Sequence, residues 1–302
     1  MLLALAFLGV CSLHGHGSRS SDVDNQVWRA SWETSDCNVM WTSNGDVTFT
    51  DDGMDVAKVG PDVKLTVVEM NDGHTRRVVF TERSGMLNRD YDVDGQMHDW
   101  DASAGKWFAA MLVELDHQTG KLAPIRFKQL MTAGGPSAVF EDMRSASGNA
   151  QATYARMLLQ SGKLGAADAC HIAGFAGDIS ADHEKADILT DVASQVDFSV
   201  AECRDAYFGA VRKISGDYER ARAEIAAIEH APASGPALNA FAVAALSVAR
   251  EIASDHEKEH VLVTFAPRCT GDSARTAYLA TARTIASDAE RARALTALVR
   301  QQ

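Results

Sequence analysis

"IASDHEK", residues 252–258, decides the fold, because the chain spells it four times. The other copies are "ISADHEK" (179–185), "ISGDYER" (214–220) and "IASDAER" (285–291), all of the form I-x-x-D-x-E-[KR]. The aspartates Asp182, Asp217, Asp255 and Asp288 stand 35 (217 − 182), 38 (255 − 217) and 33 (288 − 255) residues apart. A period of this length is the signature of stacked helical units, each too small to bury its own apolar face.

Local chemistry gives the motif a meaning. Ser254 and Ser287 suit helix N-caps, and Glu257 and Glu290 three residues on complete a capping box. Gly216 also caps, whereas Ala181 caps poorly. The acidic residues suit the positive end of a helix dipole. The Ile before each cap closes a preceding helix, which carries Ile172, Tyr207 or Tyr278 seven residues earlier. Each unit therefore reads as helix, tight turn, helix. The loop "HAPASGP" (230–236) accounts for the longest spacing, and "TYAR" from Thr153 reads as a degenerate opening copy.

Upstream the rhythm differs. From about Cys37 to Trp100, short alternating runs ("DVTFT", "DVKLTVVE", "RRVVFTE", "LNRDYDV") are separated by Asn44-Gly45, Asp52-Gly53, Asp72-Gly73 and Asp94-Gly95. Such dipeptides suit tight hairpin turns, so an antiparallel meander is expected. Its apolar face carries Val63, Leu65, Val67, Val78 and Phe80. At Asp101, a good N-cap, the spacing becomes helical: Trp107, Phe108, Met111, Leu112 and Leu115 mark a helix that covers this face. A second helix is expected over 125–131. Gly134-Gly135-Pro136 then marks a boundary, with Pro136 suited to a first helical turn.

The predicted architecture is thus α+β. A β-meander with a covering helix occupies 24–133, and an α-solenoid of helical hairpins occupies 136–302. Apolar residues make up 46% of the 302 positions, enough for a sizeable core. The net charge of −12 argues against nucleic acid as a partner, since phosphate binding needs a basic face. The apolar stretch from Leu2 to Val10 is too short to span a bilayer. With Gly15 and Gly17 as small residues at a cleavage site, residues 1–17 read as an export signal. No basic residue precedes that stretch, and Val10 before Cys11 does not suit lipid attachment. The mature chain is expected outside the cytoplasm, without a membrane span. Its Cys37, Cys170, Cys203 and Cys269 allow three pairings into two disulfides, or none at all.

Two stretches imitate metal sites. His256-Glu257-Lys258-Glu259-His260 spells H-E-x-x-H, the zinc-protease pattern in which two His share a helix face and Glu is the general base. The repeat accounts for most of it without metal. His256 stands where other copies have His183, Tyr218 and Ala289, and Glu257 is the capping-box Glu. Lys258 and Glu259 add charge where a protease helix is apolar. Asp272 and Glu290 are the available third ligands. The second stretch is "DYDVDGQMHDWD" (90–101). It places Asp90, Asp92, Asp94, Gly95, Gln96 and Asp101 at positions 1, 3, 5, 6, 7 and 12 of a calcium loop. Asp101 is shorter than the usual bidentate Glu, and a hairpin explains the same residues. Neither a nucleophile elbow nor a phosphate-binding glycine loop occurs. The expected catalytic, metal and cofactor sets are therefore empty. Zinc at His256, Glu257 and His260, and calcium at Asp90, Asp92, Asp94 and Asp101, stand as the alternatives.

The order of "GDVTFTDDGMDVAKVGPDVKLTVVEMNDGHTRRVVF" (45–80), "YDVDGQMHDWDASAGKWFAAML" (91–112) and repeats such as "ISGDYERARAE" (214–224) resembles one known pattern. It is the extracytoplasmic C-terminal region behind BlaR/MecR-type membrane metallopeptidases of bacteria. The resemblance spans about Gly45 to Arg300. It implies a sensor-like or accessory module of the cell envelope and names no ligand. The family's chemistry resides in a transmembrane peptidase module that this sequence does not contain. The expectation is a non-enzymatic module binding a protein through its repeats, with its oligomeric state left open.

Overall fold

The computed structural model describes residues 18–24, 27–162 and 164–301. The export-signal segment 1–17 lies outside the described residues. The chain divides into two compact units between Ala150 and Gln151.

The first unit holds nine strands among the described residues: β1 (Ser18–Asp24), β2 (Val27–Glu33), β3 (Cys37–Ser43), β4 (Val47–Phe49), β5 (Val56–Val59), β6 (Lys64–Asn71), β7 (His74–Arg83), β8 (Met86–Val93) and β9 (Gln96–His98). Seven form one antiparallel sheet in the order β1-β2-β3-β6-β7-β8-β9, while β4 and β5 pair separately as an excursion between β3 and β6. The sheet thus begins before Cys37, where the sequence reading started it. In β2 the alternation is Trp28, Ala30 and Trp32 buried, with Arg29 and Glu33 exposed.

Two of the four expected turns are hairpin turns of the expected kind. Asp72-Gly73 and Asp94-Gly95 take positive φ at both residues (53° and 80°; 54° and 78°), which matches the twist of the strands they join. Ser84-Gly85 does the same between β7 and β8. Asn44-Gly45 does not. There the Asn44 side chain accepts the Lys64 N–H at 2.6 Å. A Cβ on Gly45 would meet Val63 at 2.5 Å, so close approach selects this glycine.

Val39, Trp41, Leu65, Val67, Val78 and Phe80 form the inner face of the sheet, each fully buried, while Val63 is only partly buried. The helix α1 (Ala102–Thr119) buries Trp107, Phe108, Met111, Leu112 and Leu115 in the same core. Asp101 starts it as expected, accepting from the N–H groups of Ser103 and Ala104. The Phe108 ring sits 4.8 Å from Phe80 and 5.7 Å from Trp41. Burying such a ring contributes about 2–3 kcal/mol.

After α1 come α2 (Ala123–Gly134) and α3 (Pro136–Met143). Pro136 opens α3 as expected, yet the division into units comes later, at 150/151. The physical reason is a buried ion network that ties these helices to α1. Arg126 of α2 pairs with Asp116 of α1 at 3.4 Å and with Asp142 of α3, and His117 lies 3.2 Å from Asp142. Asp116 also accepts the Leu122 N–H at 2.7 Å.

The division falls within α4 (Gly148–Ser161). Four helical hairpins follow: α5 (Ala166–Ala176) with α6 (Asp182–Val192), α7 (Ala201–Arg212) with α8 (Asp217–Glu229), α9 (Gly235–Ala249) with α10 (Asp255–Phe265), and α11 (Asp272–Ala282) with α12 (Asp288–Val299). Each motif Asp is the first residue of the second helix of its pair. The motif isoleucines Ile179, Ile214, Ile252 and Ile285 are all buried. The fold is α+β with a helical C-terminal part.

Candidate functional site

The repeat motif makes its principal bonds between repeats. Asp182 accepts the N–H groups of Ser215 and Gly216 at 2.8 and 3.0 Å. Asp217 accepts those of Ala253 and Ser254 at 3.1 and 2.7 Å. Asp255 accepts those of Ala286 and Ser287 at 3.1 and 2.8 Å. Each Asp thus caps the turn that opens the second helix of the following repeat, satisfying N–H groups at or beside a helix N-terminus. Burial works against the Asp182 charge, but the Gly216 and Ser215 N–H groups outweigh it and hold its pKa below the usual value. The N–H groups of Ser287 and Ala286 lower that of Asp255.

The basic residue of the motif donates to carbonyl and hydroxyl oxygens, and in the first and fourth copies, as Lys185 and Arg291, also to the motif Asp. Lys185 donates to the Lys213 carbonyl at 2.6 Å and Lys258 to the Thr284 hydroxyl at 3.1 Å, each reaching the next repeat. Arg220 donates to Ile214 O within its own repeat and to Glu251 O of the next. Only half of the expected capping box forms at Ser254: its hydroxyl accepts the Glu257 N–H at 3.3 Å, but its own N–H goes to Asp217 and not to Glu257, and Ser287 makes no side-chain cap bond.

This arrangement settles what becomes of HEKEH. His256 and His260 are exposed on α10. Lys258 between them is buried and committed to Thr284, and Glu259 pairs with Arg293 at 3.2 Å. Asp272 opens α11, and Glu290 lies within 3.7 Å of Arg293. Among the described residues no group of three His, Cys, Asp or Glu side chains is placed to hold a metal ion.

The acidic stretch 90–101 is strand, turn, strand and helix cap, not a ligand loop. Asp90 and Asp92 lie on β8, paired with Arg83 at 3.2 Å and Arg77 at 3.4 Å. Asp94 sits in the turn and binds His74 and the Thr75 N–H. Asp101 is spent on the α1 N-terminus. An extended strand carries alternate side chains along a line, so these carboxylates cannot wrap around one cation.

Of the cysteines, Cys170 and Cys203 form a disulfide joining α5 to α7, with Cα atoms 4.7 Å apart. Cys269 is a free thiol, buried, with its pKa pushed up to about 12 by that burial. The four expected cysteines therefore do not make two bridges among themselves. A thiol so shielded is a poor nucleophile.

One feature is not visible in the sequence, and another shows there only as a variable repeat position. The first is Glu224 on α8, fully buried, its carboxyl oxygens meeting no strict hydrogen-bond geometry and only the Ala249 N–H lying near enough to act on them. Burial raises its pKa well above the usual carboxylate value, against the opposing pull of Arg220, the Ala249 N–H and Arg212. The other is a row of exposed residues, one per repeat, just after each clasp Asp: His183, Tyr218, His256 and Ala289. The framework residues on either side repeat faithfully, while this exposed position varies.

No protein-family model matches the chain, and no curated protein or solved structure is significantly similar to it.

Proposed function

We propose that the protein is a non-enzymatic interaction module working outside the cytoplasm, and that it binds a protein partner through its helical repeats. The observation that carries this reading is the exposed row His183, Tyr218, His256 and Ala289. Its members occupy one repeat position, and they change from copy to copy while the clasp beneath His183, Tyr218 and His256 does not. Repeat arrays bind partners in this way, with an unchanging frame and variable surface side chains. The Cys170–Cys203 disulfide supports an oxidising compartment. No helix among the described residues is long and apolar enough to cross a membrane. The resemblance to regions behind BlaR/MecR-type peptidases suggests sensing in a bacterial envelope as the setting.

The test is chemical cross-linking of the full chain in a bacterial envelope extract, beside the triple variant His183→Ala, Tyr218→Ala, His256→Ala. A stoichiometric protein partner that the triple variant fails to capture supports the reading. Absence of any such partner overturns it. So does near-stoichiometric zinc in the purified protein that His260→Ala removes, which would restore the hydrolase alternative.

A further inference from the structure

The internal repeat supplies its own comparison for the last helix. Counting from the motif Ile, positions 7, 10 and 14 are Ala186, Leu189 and Ala193 in the first copy and Ala221, Glu224 and Ile228 in the second. In the third they are Glu259, Leu262 and Ala266. All are buried except Glu259, which is nearly so. In each of these copies the second helix of the next repeat packs alongside: α8 on α6, α10 on α8 and α12 on α10.

On α12 the same positions are Ala292, Leu295 and Val299, and all three are exposed, Leu295 by 36% and Val299 by 62%. On α11, Leu279 is half-exposed where its counterparts Ala173, Phe208 and Leu246 are buried. The clasp is open too. Asp288 stands where Asp182, Asp217 and Asp255 each take two N–H groups of the next repeat. Its side chain is 91% exposed and pairs only with Arg291 of its own helix. Among the described residues, α12 thus presents an apolar stripe beside a carboxylate that takes no N–H group of another repeat.

We propose that the outer face of α12, exposed among the described residues and built like the three junctions before it, docks an α-helix from a partner protein. The partner helix lies along Ala292, Leu295 and Val299, and the N–H groups of its opening turn bond Asp288. The occupant follows from continuity with three junctions of the same make. In each, an amphipathic helix presents two consecutive backbone N–H groups to the Asp and an apolar face to the stripe. The inference rests on the reading of the repeats as a protein-binding array.

The probe is a labelled synthetic peptide of residues 251–268, which is α10 with its opening turn. In the protein this segment sits on α8, where Ala221 and Ile228 hold the places of Ala292 and Val299. Fluorescence anisotropy with the full chain is expected to show saturable, single-site binding. Leu295→Glu with Val299→Glu should weaken it at least tenfold and Asp288→Asn at least threefold. Both apolar positions are exposed, so the melting curve of the double variant should match the parent. Absence of saturable binding overturns the proposal, as does binding indifferent to the double variant. A concentration-dependent dimer in sedimentation velocity, dissolved by the double variant, would overturn it by placing a second copy on this face. The cross-linking experiment separates the two readings. A partner captured equally by the parent and the Leu295/Val299 variant sinks only the end-face assignment. No captured partner sinks the interaction reading itself.

Discussion

Asp217 accepts the backbone N–H of Ser254 across 2.7 Å, although 37 residues of chain separate them. The bond joins the first turn of α8 to the cap of α10. It explains why an aspartate recurs at this position even where the residue before it, Gly216 or Ala181, has no side chain able to cap. The Asp serves the next repeat, and the turn before its own helix α8 is held in the same way by Asp182 of the repeat before.

Asp217→Ala should therefore act at a distance. The two orphaned N–H groups lie at Ala253 and Ser254, so hydrogen exchange is expected to quicken at the start of α10. The stability loss should be about 1 kcal/mol, the usual worth of a side-chain helix cap. A loss of protection confined to α8 would contradict the clasp.

Glu224 should be a net liability. Its folded pKa is raised above its unfolded value, so its contribution to stability is fully present below the unfolded value near 4.5 and declines as pH rises through the folded value. Leu189, Leu262 and Leu295 occupy the equivalent position, so Glu224→Leu is the natural replacement. At pH 7 it is expected to stabilise the protein by about 2 kcal/mol, the scale of the penalty for a buried polar group short of hydrogen bonds. The gain should shrink toward pH 4 in urea titrations. A pH-independent difference would mean that Glu224 is already partnered.

The Asp142 site should show the opposite slope. Burial opposes its charge, but His117 and Arg126 prevail and hold the carboxyl below its usual value. A depressed folded pKa gives stability that is present above about 3.8 and lost as pH falls through the folded value. Asp142→Asn removes one of the two carboxylates that face Arg126. It should cost about 3 kcal/mol at pH 7 and flatten the acid limb of the unfolding curve. Equal acid sensitivity in parent and variant would remove this network from the account.

The cysteines should separate cleanly by chemistry. A non-reducing digest is expected to yield the Cys170 and Cys203 peptides linked, and Cys269 should alkylate only after denaturation. Replacing both Cys170 and Cys203 by Ser should destabilise the protein by about 3 kcal/mol, through the freedom returned to the unfolded chain. Rapid native alkylation of Cys269 would contradict its burial.

Much of this architecture was legible in residue order, and the gaps have physical causes. The helix starts at Asp182, Asp217, Asp255 and Asp288 could be read because capping preference and apolar spacing act within a few residues. The inner sheet face Leu65, Val67, Val78 and Phe80 could be read because a strand alternates with period two. Strand β2 was missed because Ala30 and Ser31 are weak strand formers at its centre. The sheet between β1 and β3 nevertheless holds it there. The H-E-x-x-H and calcium-like spellings could be weighed by local argument, since the repeat and the hairpin explain the same letters.

Sequence by itself determined the fold class, the repeat period, the helix starts and the face of the sheet that is covered, because each follows from preferences within about one turn of helix or one pair of strands. Tertiary structure alone decided what each Asp clasps, which cysteines pair, that Glu224 lies buried, and that Ala292, Leu295 and Val299 lie open. Those outcomes depend on which repeat lies against which, so identical letters at Leu262 and Leu295 meet opposite fates: one lies under a following helix and the other faces solvent.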